Sequence, residues 1–145
     1  MRKGINPTAT LRPSKARIRD SFERAAPTYD GAADIQRRIC TQLAAGLPDI
    51  APARLLDAGC GTGFAQANLQ ARFPNAHSVA LDLSPAMLDR VAAPCCRVSS
   101  DLEHLPLADA SLDLYWSSLA VQWFDLGTDL RESHRSLFLN CLLAL

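Results

Sequence analysis

The chain has 145 residues, 48% of them apolar and 21% charged, which fits one globular domain and excludes a largely disordered chain. Its 15 basic and 15 acidic residues cancel, and Lys and Arg do not gather along one face of any predicted element, so nucleic acid is not an expected partner. No apolar run approaches the roughly 20 residues that span a bilayer, and the opening MRKGINPTATLRP lacks the apolar core of a secretory signal, so the expected location is the cytoplasm, away from membranes.

Residues 1–13 read as a mobile tail with no assigned function. From Ser14, the residues Ile18, Phe22, Ala25 and Ala26 recur at helical spacing opposite Lys15, Arg19 and Glu23, predicting an amphipathic helix that stops at Pro27. Residues 34–47 form a second predicted helix with Ile35, Ile39, Leu43 and Leu47 on its apolar face. Tyr29 stands in the turn between the two, and 48–52 is a linker. The expected division is therefore tail 1–13, leading helices 14–47 and an α/β domain over 53–145.

Residues 54–63, RLLDAGCGTG, organise the remainder of the chain. Leu55, Leu56 and Ala58 suit a strand buried on both faces of a parallel sheet. Gly59, Gly61 and Gly63 then remove the Cβ where the chain bends and lets a ligand approach, and 64–73 resumes as a helix. A dinucleotide fingerprint would need glycine at position 64, which is Phe64. The G-x-G-x-G spacing with Asp57 two residues before it is instead the pattern of S-adenosylmethionine-binding enzymes.

A second strand over 78–83 places Asp82 where mononucleotide-binding geometry puts an acid to accept both ribose hydroxyls. Ser84 caps and Pro85 opens the next helix, whose inner face is Met87, Leu88 and Val91 and which Pro94 ends. A third strand covers 95–99, and the polar loop 101–106 carries Asp101, an acid able either to accept from an adenine amine or to cap a turn. A fourth strand over 112–118, a short helical segment over 119–123 and a helix capped by Thr128 complete the alternation. This predicts the α/β class: a parallel sheet of about four strands with helices on both faces. Cys40, Cys60, Cys95, Cys96 and Cys141 show no C-x-x-C spacing and the histidines are scattered, so no disulfide framework and no metal site is expected.

Together, LLDAGCGTG, LDLSPAML, DLEHLPLADASLDL, WSSLAVQW and the leading SFERAAPTYD resemble the malonyl-acyl-carrier-protein O-methyltransferases of biotin synthesis, within the Rossmann-like class I methyltransferases. The resemblance runs over about 14–135. It implies S-adenosylmethionine as cofactor and an acyl-carrier protein bearing a malonyl thioester as partner. By motif it implies Asp57, Gly59, Cys60 and Gly61 at the methionyl end, Asp82 at the ribose, Leu83 and Met87 flanking the adenine, and Asp101 and Leu102 at the adenine edge. Ser117 would lie near the sulfonium and Tyr29 would close over the cofactor. No catalytic acid or base is nominated.

The family continues through a proline-glycine-glycine turn into a fifth strand and beyond, whereas here Arg135 leads into SLFLNCLLAL. The expectation is a sheet lacking the family's last strands, with 142–145 either a remnant of the fifth strand or unrelated to it, and a chain without full turnover. A generic small-molecule methyltransferase and a cofactor-binding fragment without turnover stay open.

Overall fold

In the computed structural model, which describes residues 13–123 and 142–144, Ser14 accepts a hydrogen bond from the Arg17 amide and opens helix α1 (Lys15–Ala25). The helix ends just ahead of Pro27, as the restriction on residues preceding proline requires. A short helix α2 (Tyr29–Ala32) occupies the expected turn and runs almost directly into α3 (Asp34–Ala45). The expected apolar face of α3 holds at its end, where Leu47 is buried and Leu43 packs against the core, but not at its start. Cys40 and Ala44 are buried, whereas Ile35 is 70% exposed. These small side chains, i and i+4, let the helix sit close against the sheet, where Trp116 and Leu55 fill the space.

β1 (Arg54–Ala58), α4 (Phe64–Arg72), β2 (His77–Asp82), α5 (Pro85–Leu88), β3 (Cys96–Ser99) and β4 (Leu114–Trp116) come next, in alternation. Every pairing is parallel, as the alternation predicts, and the strand order is β3-β2-β1-β4. A fifth strand, β5 (Leu142–Ala144), extends the sheet by pairing Leu114 with Leu142 and Trp116 with Ala144. β4 therefore has a strand on each side, and 142–144 takes the place of a fifth strand. β4 is shorter than the predicted 112–118. Its start is fixed by Asp113, whose carboxylate accepts from the Ala53 and Arg54 amides at 3.1 and 2.9 Å and pairs with the Arg54 guanidinium. α5 is likewise only a single turn, yet Met87, Leu88 and Val91 are all buried, as expected of its inner face.

One sheet face packs Leu55, Leu114 and Trp116 against Cys40 and Ala44 of α3 and Ala65 and Leu69 of α4. The other packs Leu56, Leu81 and Tyr115 against the irregular segment carrying Leu102, Leu105 and Leu107. Among the described residues that second face has no helix longer than the 3-10 turn Val121–Trp123. The helix expected from Thr128, Cys141 and all but the last residue of the expected tail lie outside the described residues. Among the described residues no helix is long and apolar enough to cross a membrane.

Candidate functional site

The carboxyl ends of β1 and β2 build the site, where open α/β sheets leave a crevice for ligands. After Ala58 the chain turns sharply, and the Gly59 and Cys60 amides both donate to the Leu81 carbonyl at 2.7 and 3.0 Å, pinning the turn to β2. Gly59 has φ +73°, and a Cβ there would lie 2.3 Å from the Ala120 Cβ. Gly61 has φ +55°, but a Cβ there would meet nothing within 4 Å. Gly59 thus serves close packing, while Gly61 borders open space.

Asp57 is buried, and its Oδ2 accepts from Gln66 Nε2 at 3.2 Å. Gln66 Oε1 in turn accepts the Ser78 hydroxyl at 2.8 Å. Burial pushes the Asp57 carboxyl up to about 7 against the opposing Gln66 bond, and the nearby Asp82 charge adds to the rise. Asp82 is half-buried and accepts two backbone amides, Gly61 on Oδ2 and Ser84 on Oδ1, both at 2.9 Å. Burial raises its pKa as well, opposed by those amides.

A partly open cleft lies over these groups. Tyr29, Asp57, Gly59, Cys60, Gly61, Asp82, Leu83, Asp101 and Leu102 all border it. Met87 and Ser117 do not. Met87 is fully buried, on a short helix that turns it into the core. Ser117 donates its hydroxyl to the Ala58 carbonyl at 2.9 Å, so it knits β4 to β1 and leaves Ser118 on the cleft wall, where Cys40 Sγ donates to it.

The leading helices close one side. Tyr29 stacks on Phe64 with centroids 6.0 Å apart, and Phe22 meets Tyr29 and Trp123 edge-on. Three polar ties hold these helices down. Lys15 pairs with Asp101 at 3.1 Å and with Glu103; Glu23 accepts the Ser84 hydroxyl at 3.0 Å; Asp30 accepts the Thr62 hydroxyl and faces Arg90 at 3.7 Å. Burial works against the Lys15 ammonium, but its hydrogen bonds to Glu103 and Asp101 outweigh this and raise its pKa. Asp101 also accepts the Glu103 amide, so it does cap a turn.

Residues 56–144 match the family described as "Methyltransferase domain". The chain belongs to this methyltransferase family. It is 77% identical to a malonyl-[acyl-carrier protein] O-methyltransferase from Dechloromonas aromatica, over 94% of this chain and 52% of that protein. A protein of the same name from Laribacter hongkongensis is 46% identical over the same shares. This methyltransferase-family chain thus spans about half the length of the curated relatives it matches. Among solved structures, a SAM-bound amino pentose methyltransferase from Micromonospora echinaspora is 26% identical, covering 83% of this chain and 52% of that one with TM-score 0.56.

No motif of this methyltransferase-family chain marks Gln66, Phe64, Ser118 or Trp123 as site residues, and the amphipathic pattern of α1 assigns Lys15 and Glu23 to the solvent side. Periodicity could not reveal the last two, because their partners lie 86 and 61 positions away. Gln66 did carry a signal: an amide two places into a predicted helix, directly after a glycine turn, on the side that must pack against the strand.

Proposed function

We propose that this chain binds S-adenosylmethionine in the cleft and serves methyl transfer to the free carboxylate of malonyl-acyl-carrier protein, an early step of biotin synthesis. The observation that carries the reading is the pair of acids, Asp57 and Asp82, at the ends of adjacent strands with the unobstructed Gly61 turn between them. The names of the 77% and 46% identical relatives support the acceptor and the carrier-protein partner.

The residues fit the cofactor. Asp57 suits its ammonium, the glycine turn its methionyl chain and Asp82 its ribose hydroxyls, while Leu83 and Leu102 supply apolar walls for the adenine and Asp101 an acceptor for its amine. Tyr29 and Phe64 bound the cleft from the helical side. Ser117 acts from behind, through its bond to the end of β1, and Met87 from the core beneath the β2-α5 turn. When bound, the cofactor supplies an electrophilic methyl on a sulfonium.

The chain's own task is alignment, which can remove several kcal/mol of a barrier. The acceptor carboxylate, with a pKa around 4, is already ionised at neutral pH, so no side chain need remove a proton. The same reading puts the chain in the cytoplasm, consistent with the free thiols of Cys40, Cys60, Cys95 and Cys96.

Calorimetric titration with S-adenosylmethionine tests the cofactor, and transfer of a labelled methyl group to malonyl-acyl-carrier protein tests the reaction. Saturable one-site binding with labelled methyl malonyl product is the expected result for a chain that holds the whole activity. Binding without transfer would assign only the cofactor half to these residues. No binding would refute the reading.

A further inference from the structure

We infer that Gln66, itself locked by Ser78, is a positioning residue that keeps the Asp57 carboxylate presented to the cleft as the partner of a ligand's ammonium group. This rests on the proposed cofactor reading and names a part of its site that no motif marks. Gln66 is 1% exposed and bridges two strands from the first turn of α4. Its amide has one oxygen and one nitrogen end, and hydrogen-bond chemistry decides which faces which. The Ser78 hydroxyl donates to Oε1 at 2.8 Å, which leaves Nε2 for Asp57 at 3.2 Å. The reversed amide would set a carbonyl against a carboxylate.

The choice of donor matters. Asp57 shares its surroundings with Asp82 on β2, with the Cys40 thiol of α3, with Cys60 in the glycine turn and with Cys95, none of which offers a positive charge. A lysine or arginine in place of Gln66 would neutralise Asp57 and compete with a cationic ligand. A neutral amide fixes the carboxylate and leaves its charge to be matched from the cleft. Buried polar chains of this kind orient a functional group only when each member is satisfied, and Ser78 completes this one.

The test uses two probes on the 145-residue chain: S-adenosylmethionine, and 5′-methylthioadenosine, which keeps the nucleoside and lacks the amino-acid end. Gln66→Met and Ser78→Ala are titrated with both between about pH 6 and pH 9. The expected result is a loss of S-adenosylmethionine affinity of at least about tenfold for Gln66→Met near neutral pH, with affinity recovering only at higher pH than in the wild type. Ser78→Ala shifts the profile the same way by less, and 5′-methylthioadenosine binds all three proteins alike. Ser78→Ala removes only a half-buried hydroxyl, so it carries the test should Gln66→Met fail to fold.

Equal losses for both probes at every pH would reduce Gln66 to a packing residue and overturn the inference. So would an unshifted pH profile for S-adenosylmethionine in both variants. A wild-type chain that binds neither probe would overturn the cofactor reading along with it, whereas normal wild-type binding with unchanged variants overturns the Gln66 role alone.

Discussion

Thr62 donates its hydroxyl to Asp30 Oδ1 at 2.6 Å, and this bond joins the glycine turn of the cleft to the short helix that carries Tyr29. Thr62→Val keeps the shape and removes the bond, a loss of about 0.5 to 1.5 kcal/mol. The melting temperature should fall by about 2 to 5 °C, and proteolytic nicking between α1 and α3 should speed up. Melts and a timed digest check this. Unchanged nicking would mean that the aromatic stack and the Lys15 and Glu23 ties hold the leading helices without this bond.

The turn glycines should separate by phenotype. Gly59→Ala drives a methyl to within 2.3 Å of the Ala120 Cβ, so the variant should be destabilised by roughly 2 to 4 kcal/mol from overpacking and the left-handed backbone together. Gly61→Ala meets no neighbour and should lose only about 1 to 2 kcal/mol, yet lose most of its affinity for S-adenosylmethionine because the new methyl projects into the cleft. Thermal melts paired with calorimetry distinguish the two. A stable Gly59→Ala, or a Gly61→Ala that binds normally, contradicts the geometry.

Asp82→Asn retains one acceptor oxygen, whereas the native carboxylate accepts amides on both. The new NH₂ must therefore face either the Gly61 or the Ser84 amide. Weakening charge-assisted bonds worth about 1.5 to 3 kcal/mol each should lower affinity at least tenfold and loosen the turn. Equal binding of S-adenosylhomocysteine to both proteins would remove Asp82 from the site.

The Asp57 carboxyl sits at about 7 in the folded chain, against about 3.9 when unfolded, so the folded state holds the extra proton between those values. Its contribution to folding stability is therefore complete below about pH 4 and is lost as the pH rises through about 7. Binding of an ammonium ligand needs the ionised form and runs the other way, strengthening by up to about tenfold per pH unit until about pH 7. Denaturant melts and titrations across pH, each taken as the difference between wild type and Asp57→Asn, measure the two slopes. Two slopes of the same sign would be inconsistent with a buried, proton-binding Asp57.

The glycine strand, the parallel sense of the sheet and the cleft-edge acids were legible because each arises from a local pattern: strand-helix alternation, positive φ at Gly59 and Gly61, and an acid at the end of a buried run. The orientation of α3 was legible only in part, through Leu43 and Leu47. Ile35 and Ile39 extend the same stripe on paper, but the places beside the large Trp116 go to the small Cys40 and Ala44. Met87 and Ser117 sit in motif positions, but one short helix and one hydroxyl-to-carbonyl bond turn them inward. The helix ties of Lys15, Glu23 and Asp30 were invisible for a different reason. Each is a charge that an amphipathic pattern assigns to water.

β1 is hydrogen-bonded on one side to β2 and on the other to β4, and the two ladders differ in how far apart along the chain their halves are made. Leu55 meets Ser78 across 23 positions but Leu114 across 59. Closing the longer loop costs about 0.8 kcal/mol more entropy, and pairings distant in sequence form late. The β1-β2 unit with Gln66, Ser78 and both acids can thus assemble while the wall formed by Trp116, Ser118 and Ala120 is still undocked. A refolding chain should gain amide protection in β1 and β2 before β4, and the ability to retain a nucleoside should arrive with the second event. Pulsed hydrogen exchange run beside ligand capture would show the two times apart, and simultaneous protection of all three strands would show that the sheet forms in one step.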